Sequence, residues 1–250
     1  MDKIKMVDIG FFKLNAQIYG NEFFIAGCDE VGRGPLAGPV VTACASIEIK
    51  KYDEKELKSL LLKWKKIGIT DSKKLTSDAR LKILKQLSMT SLKANLIHTS
   101  IHSENITIKI LIKEIPASTI DEINILQASL VGMKRAMLES CPLNLPGTIL
   151  IDGNKKIQYE DSKHQLEAII QGDSKSLLIG LASIAAKEYR DQLMKNLGEK
   201  YPGYGWEHNA GYPTKMHLEA IGLLGVTEMH RLTYKGVKEI YEERGYSRIE

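Results

Sequence analysis

The sequence is short of cysteine, of long apolar runs and of net charge, and each shortage excludes something. Three cysteines in 250 residues, Cys28, Cys44 and Cys141, stand far apart. They form neither a disulfide framework nor a zinc-ligand pattern, and a reducing cytosol suits them best. No apolar stretch reaches the roughly 20 residues that cross a bilayer. The N-terminal Met1-Asp2-Lys3-Ile4-Lys5-Met6 leads into mixed polar sequence, not into the apolar segment of a signal peptide. A cytoplasmic protein with no membrane contact is therefore expected. The net charge of +4 and a pI near 8.7 suit a polyanionic partner without requiring one. Internal repeats and low-complexity tracts are absent as well.

What is present is 43% hydrophobic residue, enough to bury a substantial core in one large domain. Residues 1–22 read as an N-terminal extension and 23–250 as the domain with its C-terminal helices. The domain has an α/β pattern. Strands are expected at Phe23–Cys28, Val40–Ile47, Ala94–Thr99, Gly147–Ile151 and Leu166–Ile170, from β-branched and apolar runs bounded by turn residues. Gly38-Pro39 marks the turn of a hairpin joining the first two. Lys50 to Lys66 is helical or irregular. Thr76 or Ser77 caps a helix through Ile83 to Leu87. Ile123, Leu126, Leu130, Met133 and Met137 recur at steps of 3, 4, 3 and 4, which is one helical face. Further helices are expected at 174–197, 213–222 and 234–244.

Three of the expected strands end in acid. The first runs into Asp29-Glu30, the fourth into Asp152-Gly153, the fifth into Gly172-Asp173. The carboxyl edge of an α/β sheet is the usual place for a site, so neighbouring strands would gather Asp29, Glu30, Asp152 and Asp173. Such oxygen donors suit Mg2+ or Mn2+. Two ions about 3.5–4 Å apart activate a water and stabilise the leaving oxygen of a phosphodiester. The competing reading makes each acid a turn former or helix cap. It weakens when all the strand exits must carry one independently.

Adjacent strand residues face opposite ways. Asp29 and Glu30 therefore reach one site only through a break or bulge, or with Glu30 acting through its backbone. Cys28 should face the core. On the helix after Asp173, Leu178, Ala182, Ala185, Tyr189 and Leu193 form an apolar face, and Ser183, Lys187 and Arg190 a polar stripe. That stripe either meets phosphates or is solvated, with Lys187 and Asp191 paired at i, i+4. His208, His217 and His230 match no ligand spacing and read as structural or surface residues. Lys63-Trp64-Lys65-Lys66 reads as a surface helix with a packed Trp.

The run Asp29-Glu30-Val31-Gly32-Arg33-Gly34-Pro35-Leu36-Ala37-Gly38-Pro39-Val40-Val41 resembles the signature of prokaryotic type 2 ribonucleases H, the ribonuclease HII family. Other segments resemble that family in the same order. They are Thr70–Leu75, Ile120–Ala128, Ile151–Gly153, Gly172–Ser176, Ala182–Asp191 and Gly211–Lys215, and the resemblance covers about residues 23 to 236. It implies a ribonuclease H-like fold: α/β, with a mixed five-stranded sheet flanked by helices and a short helical C-terminal region. It also implies a metal-dependent endonuclease that cuts the RNA strand of RNA–DNA hybrids and cuts 5′ of ribonucleotides embedded in duplex DNA. Such cleavage leaves a 3′-hydroxyl and a 5′-phosphate and serves ribonucleotide removal from DNA.

The same resemblance assigns roles. Asp29, Glu30, Asp152 and Asp173 are the expected catalytic carboxylates and ligands of two Mg2+ or Mn2+ ions. Gly32, Arg33 and Gly34 resemble the family's substrate-reading motif, whose glycines let backbone approach the ribose 2′-hydroxyl. Tyr212 resembles a tyrosine that packs on the sugar at an RNA–DNA junction. Lys73 resembles a phosphate contact, and Lys187 and Arg190 are candidates for the same role. A monomer is expected. Type 3 ribonucleases H share the carboxylates but usually carry a sizeable N-terminal domain, whereas only about 22 residues precede the first strand here. A non-catalytic nucleic-acid-binding module would not need the full acid set.

Overall fold

The computed structural model describes residues 7–244. The elements run in the order α1 (Val7–Tyr19), β1 (Phe23–Val31), β2 (Val40–Ile49), α2 (Glu54–Lys66), α3 (Ser77–Gln86), β3 (His98–Ile101), β4 (Ile106–Ile115) and α4 (Ala117–Ser140). They continue with β5 (Gly147–Asp152), β6 (His164–Ile169), α5 (Gly172–Lys175), α6 (Leu177–Lys200), α7 (Trp206–Asn209), α8 (Lys215–Leu224) and α9 (Lys238–Arg244). The strands form one six-stranded sheet in the order β3-β4-β2-β1-β5-β6. The β1, β2, β3 and β4 pairings are antiparallel, while β5 runs parallel to β1 and β6 parallel to β5. Among the described residues no helix is long and apolar enough to cross a membrane.

The sheet has six strands where five were expected. The additional strand is β4, whose Ile106, Ile108, Ile110 and Ile112 alternate into the core. Its partner β3 occupies His98–Ile101, later than the expected Ala94–Thr99. The reason is local: Asn95 takes a left-handed φ of 62° and the Lys93 amide is bonded to His98 Nε2 (2.9 Å), so a turn occupies the start of that run.

Strand alternation divides β1 between two layers. Phe23 and Ile25 pack with Leu178, Ile179, Ala182 and Ala185 of α6, together with Phe12 and Trp64. Phe24, Ala26 and Cys28 pack with Met133, Ala136 and Met137 of α4. Gly27 lies where α6 crosses the sheet, and a Cβ there would come within 2.4 Å of the Ile179 amide nitrogen. Only glycine permits that approach. Asn124 (φ 65°) interrupts α4, and its Oδ1 accepts from the amides of Leu126 (3.0 Å) and Gln127 (3.1 Å) to start the helix again.

Residues 7–19 of the segment read as an extension form a helix seated on the domain. Asp8 is buried and accepts from Ser176 Oγ (2.6 Å) and the Leu177 amide (2.7 Å), so it caps α6. A carboxylate at a helix N-terminus satisfies orphan amides and meets the positive end of the dipole. Asn15 bonds Thr148 Oγ1 of β5 (2.8 Å). At the other end of the chain, α7, α8 and α9 build a separate apolar cluster around Trp206 and Tyr204, which includes Leu36 and Ala37 of the β1–β2 connection.

Candidate active site

The site forms where β1 and β5 part. Their pairing ends at Cys28 opposite Ile151, so Asp29, Glu30 and Asp152 lie at an open sheet edge. Carboxylate oxygens of these residues come within 4.8 Å of one another. The expected break or bulge in β1 is absent: pairing with β2 runs regularly through Glu30–Thr42 and Val31–Val41. The pairing of β1 with β5 stops at Cys28, and beyond it the carboxylates of Asp29 and Glu30 come together with that of Asp152 without a bulge. Cys28 is buried, as expected of a core residue.

The acids are held by backbone. The Glu30 amide donates to Asp29 Oδ1 (2.7 Å), and the Gly172 amide donates to Asp152 Oδ1 (2.6 Å). The second bond ties the exit of β6 to the exit of β5 and sets Asp173 on the rim. Asp173 lines the same cleft but stands outside the tight group of three. Burial raises the pKa of Asp29 well above the ordinary carboxylate range, and the charges of Glu30 and Asp152 push it further. Burial also raises Glu30, with Arg33 opposing. Burial, Asp71 and Asp152 raise Asp173. Like charges crowded in a desolvated pocket are unstable unless a cation joins them. The donor set is all carboxylate oxygen, which fits a hard divalent ion.

Gly32, Arg33, Gly34, Lys73, Lys187 and Tyr212 line this cleft of about 390 Å³ with the four acids. Arg33 is half exposed and its Nη1 bonds Glu30 Oε1 (3.2 Å). Lys187 pairs with Asp191 (2.5 Å). Tyr212 is 43% exposed. Ser183 also faces the cleft, where its hydroxyl meets Ser72 Oγ (2.9 Å).

Arg190 is placed elsewhere. It is 0% exposed and donates to the carbonyls of Ala37 (3.2 Å), Pro39 (3.2 Å) and Ala210 (3.1 Å). The polar stripe of α6 passes under the β1–β2 connection and the 210–212 turn, so its last member holds those segments and does not face a ligand. A second buried arginine was not singled out from sequence. Arg231 donates to the carbonyls of Gly32 (2.6 Å), Arg33 (2.9 Å) and Gly38 (2.9 Å), and to Tyr234 Oη (3.2 Å). Gly32 has φ +93°, and a Cβ on it would strike Arg190 Nε at 2.2 Å. Asp71 was likewise passed over; it adjoins Asp173 in a second hollow of the same edge. Residues on distant segments leave no pattern that spacing detects.

The histidines fall as read. His208 is exposed, while His217 and His230 are buried in the Trp206 cluster. Trp206 Nε1 donates to His217 Nε2 (2.9 Å), and His217 Nδ1 meets the Tyr212 carbonyl (3.0 Å). Trp64 is packed in the core between exposed Lys63 and half-buried Lys65.

Comparison with known proteins gives a family and a fold. A sequence model of the family described as Ribonuclease HII matches residues 26–237. The chain is 40% identical over 220 residues to a Ribonuclease HII of Ruegeria pomeroyi, covering 88% of this chain and 80% of that one. The ribonuclease H2 from Pyrococcus horikoshii OT3 superposes with a TM-score of 0.61 at 24% identity, over 90% of this chain and 100% of that one. Bst-RNase HIII in complex with Mn2+ superposes with a TM-score of 0.63 at 17% identity, over 89% of this chain and 70% of that one. The two structures speak for the fold alone.

Proposed function

The chain belongs to the ribonuclease HII family, and from that premise we propose how its cleft does the family's work. It is a divalent-metal-dependent endoribonuclease of the ribonuclease H type. The observation that carries the mechanism is the group of Asp29, Glu30 and Asp152 beside the Gly32-Arg33-Gly34 loop. Asp29, Glu30, Asp152 and Asp173 hold Mg2+ or Mn2+ ions, two in the working complex. Bound there, such ions activate a water and stabilise the leaving 3′-oxygen of a phosphodiester. Raised carboxyl pKa values fit this assignment, since a cation restores the charged form that burial disfavours.

The rest of the cleft places the substrate. The Gly32-Arg33-Gly34 backbone approaches the ribose 2′-hydroxyl, Tyr212 packs on the sugar, and Lys73 and Lys187 meet phosphates. Lys187 first gives up part of its bond to Asp191. The substrates are RNA–DNA hybrids and DNA duplexes carrying a ribonucleotide. The cut falls on the 5′ side of the ribonucleotide and leaves a 3′-hydroxyl and a 5′-phosphate. We place the enzyme in the cytoplasm as a monomer.

A duplex with one embedded ribonucleotide, incubated with and without Mg2+ or Mn2+, tests this directly. Metal-dependent cleavage at that single site is expected. A requirement for several consecutive ribonucleotides would overturn the single-nucleotide reading. Tyr212→Ala should lower the rate at the junction by roughly tenfold, the worth of one good stacking contact, with no matching fall in melting temperature; an unchanged rate removes Tyr212 from the site. Binding should weaken as salt rises, because phosphate contacts release counterions.

A further inference from the structure

We propose that Arg231 and Tyr234, which lie outside the cleft, are positioning residues that determine which way the substrate-reading loop presents its amides. This rests on the reading of Gly32-Arg33-Gly34 given above. Two successive carbonyls, those of Gly32 and Arg33, both turn toward the Arg231 guanidinium, at 2.6 and 2.9 Å. Tyr234 Oη donates a second bond to the Arg33 carbonyl (2.8 Å). The described chain has no cis peptide. In a trans peptide the N–H points opposite its C=O. The amides of Arg33 and Gly34 must therefore point away from Arg231, on the side where these residues line the cleft.

Neither amide has an acceptor among the described residues. Consecutive amides turned the same way form a concave donor pair that suits a phosphate oxygen or a hydroxyl lone pair. Arg33 and Gly34 are exposed, so the donor pair beside the glycine turn is open to a ligand group on the cleft side. The clamp itself is rigid. Asp121 at the start of α4 accepts from the Leu232 amide (2.9 Å), the Thr233 amide (3.0 Å) and Thr233 Oγ1 (2.7 Å), which fixes the segment between Arg231 and Tyr234. The guanidinium also lies 5.1 Å over the Tyr234 ring. Flipping either loop peptide would aim an amide at a cation and a carbonyl at the substrate.

The test compares two binding constants on the full chain with Mg2+. One is KM for a duplex with a single ribonucleotide. The other is the inhibition constant of the all-DNA duplex of the same sequence, used as a competitor. Tyr234→Phe keeps the ring and removes the hydroxyl that donates to the Arg33 carbonyl and accepts from Arg231. It should raise KM about fivefold, the worth of one net hydrogen bond, while the inhibition constant of the DNA duplex stays within about twofold. Arg231→Lys should raise KM further and Arg231→Gln most. A folded Tyr234→Phe protein in which both constants rise together, or neither moves, overturns the proposal. If the unaltered protein binds the two duplexes equally, the loop reading beneath it fails instead.

Discussion

On the sheet side of the cleft, Asp29, Glu30 and Asp152 crowd negative charge, with Arg33 bonded to Glu30. Behind the loop, Arg190 and Arg231 bury two guanidiniums whose acceptors are carbonyls and one phenol oxygen. The two regions are opposite in sign and in completeness. The acids are left electrostatically unsatisfied in a desolvated edge. Each guanidinium nitrogen of the two arginines has an acceptor, although burial and the neighbouring Arg231 bring the Arg190 pKa down to about 10. The acid wall waits for cations and the loop wall is finished before any ligand arrives. A metal site needs the first condition, and a surface that measures a sugar needs the second.

The sharpest way to break the comparison is Asp29→Asn. Cleavage should fall by more than about a thousandfold, as expected when a ligand of the reacting centre is lost. The folded, metal-free protein should nevertheless melt higher, by roughly 2–4 °C per kcal/mol recovered. The sign follows from the raised pKa of Asp29. A carboxyl whose folded pKa lies above its unfolded value weakens the fold once pH exceeds the unfolded value, so a neutral amide removes a penalty at pH 7. The gain should shrink toward pH 4. Thermal melts in chelator at both pH values check it, and a lower melting point for the variant at pH 7 would show that the acid is satisfied.

The loop wall makes the reverse prediction. Arg190→Met removes a charge yet should destabilise the protein by about 3 kcal/mol, because the carbonyls of Ala37, Pro39 and Ala210 lose their donors and each buried orphan costs about 1–3 kcal/mol. The midpoint of urea unfolding measures this. A neutral or stabilising result would mean that the buried charge costs more than its bonds return, and the contrast between the walls would collapse.

These expectations divide along the line between what the sequence shows and what it hides. Asp29, Glu30, Asp152 and Asp173 are legible because each follows an apolar run, and a strand exit is a local signal. The helix caps are local too, and Thr76 does accept from the Ala79 amide (3.2 Å). The strand β4 was not legible. Leu111 blurs its alternation by standing on the face of Thr107, Lys109 and Lys113, and Lys113 is buried there against Glu139 (2.5 Å) and Asn95 (2.9 Å). Asp8 looks like one more acid of a leading segment until α6 is seen above it. Arg190 has the spacing of a solvent stripe and the environment of a clamp, since the segments covering it are far away in sequence. Long-range partners, not composition, made the difference in each of these places.

The smallest expected effect sharpens the comparison through pH. His217 sits behind Tyr212, with Nδ1 at the Tyr212 carbonyl (3.0 Å) and Nε2 accepting from Trp206 Nε1 (2.9 Å). His230 Nε2 also approaches His217 Nε2 (3.3 Å), while Thr227 donates its amide to His230 Nδ1 (2.9 Å). With Nε2 used as an acceptor, the ring has no place for a second proton, and burial lowers its pKa below the ordinary 6.5. A base with a depressed folded pKa is protonated first in the unfolded chain. Stability is therefore full above about pH 6.5 and declines as pH falls toward the folded value, with a slope of at most about 1.4 kcal/mol per pH unit. His217→Gln should flatten that slope when unfolding free energy is compared between pH 5 and pH 7. An equally steep slope in the variant would assign the loss to another group. Mild acid thus relieves the carboxylates and loads the histidine cluster, so the two sides of the cleft should respond to protons in opposite directions.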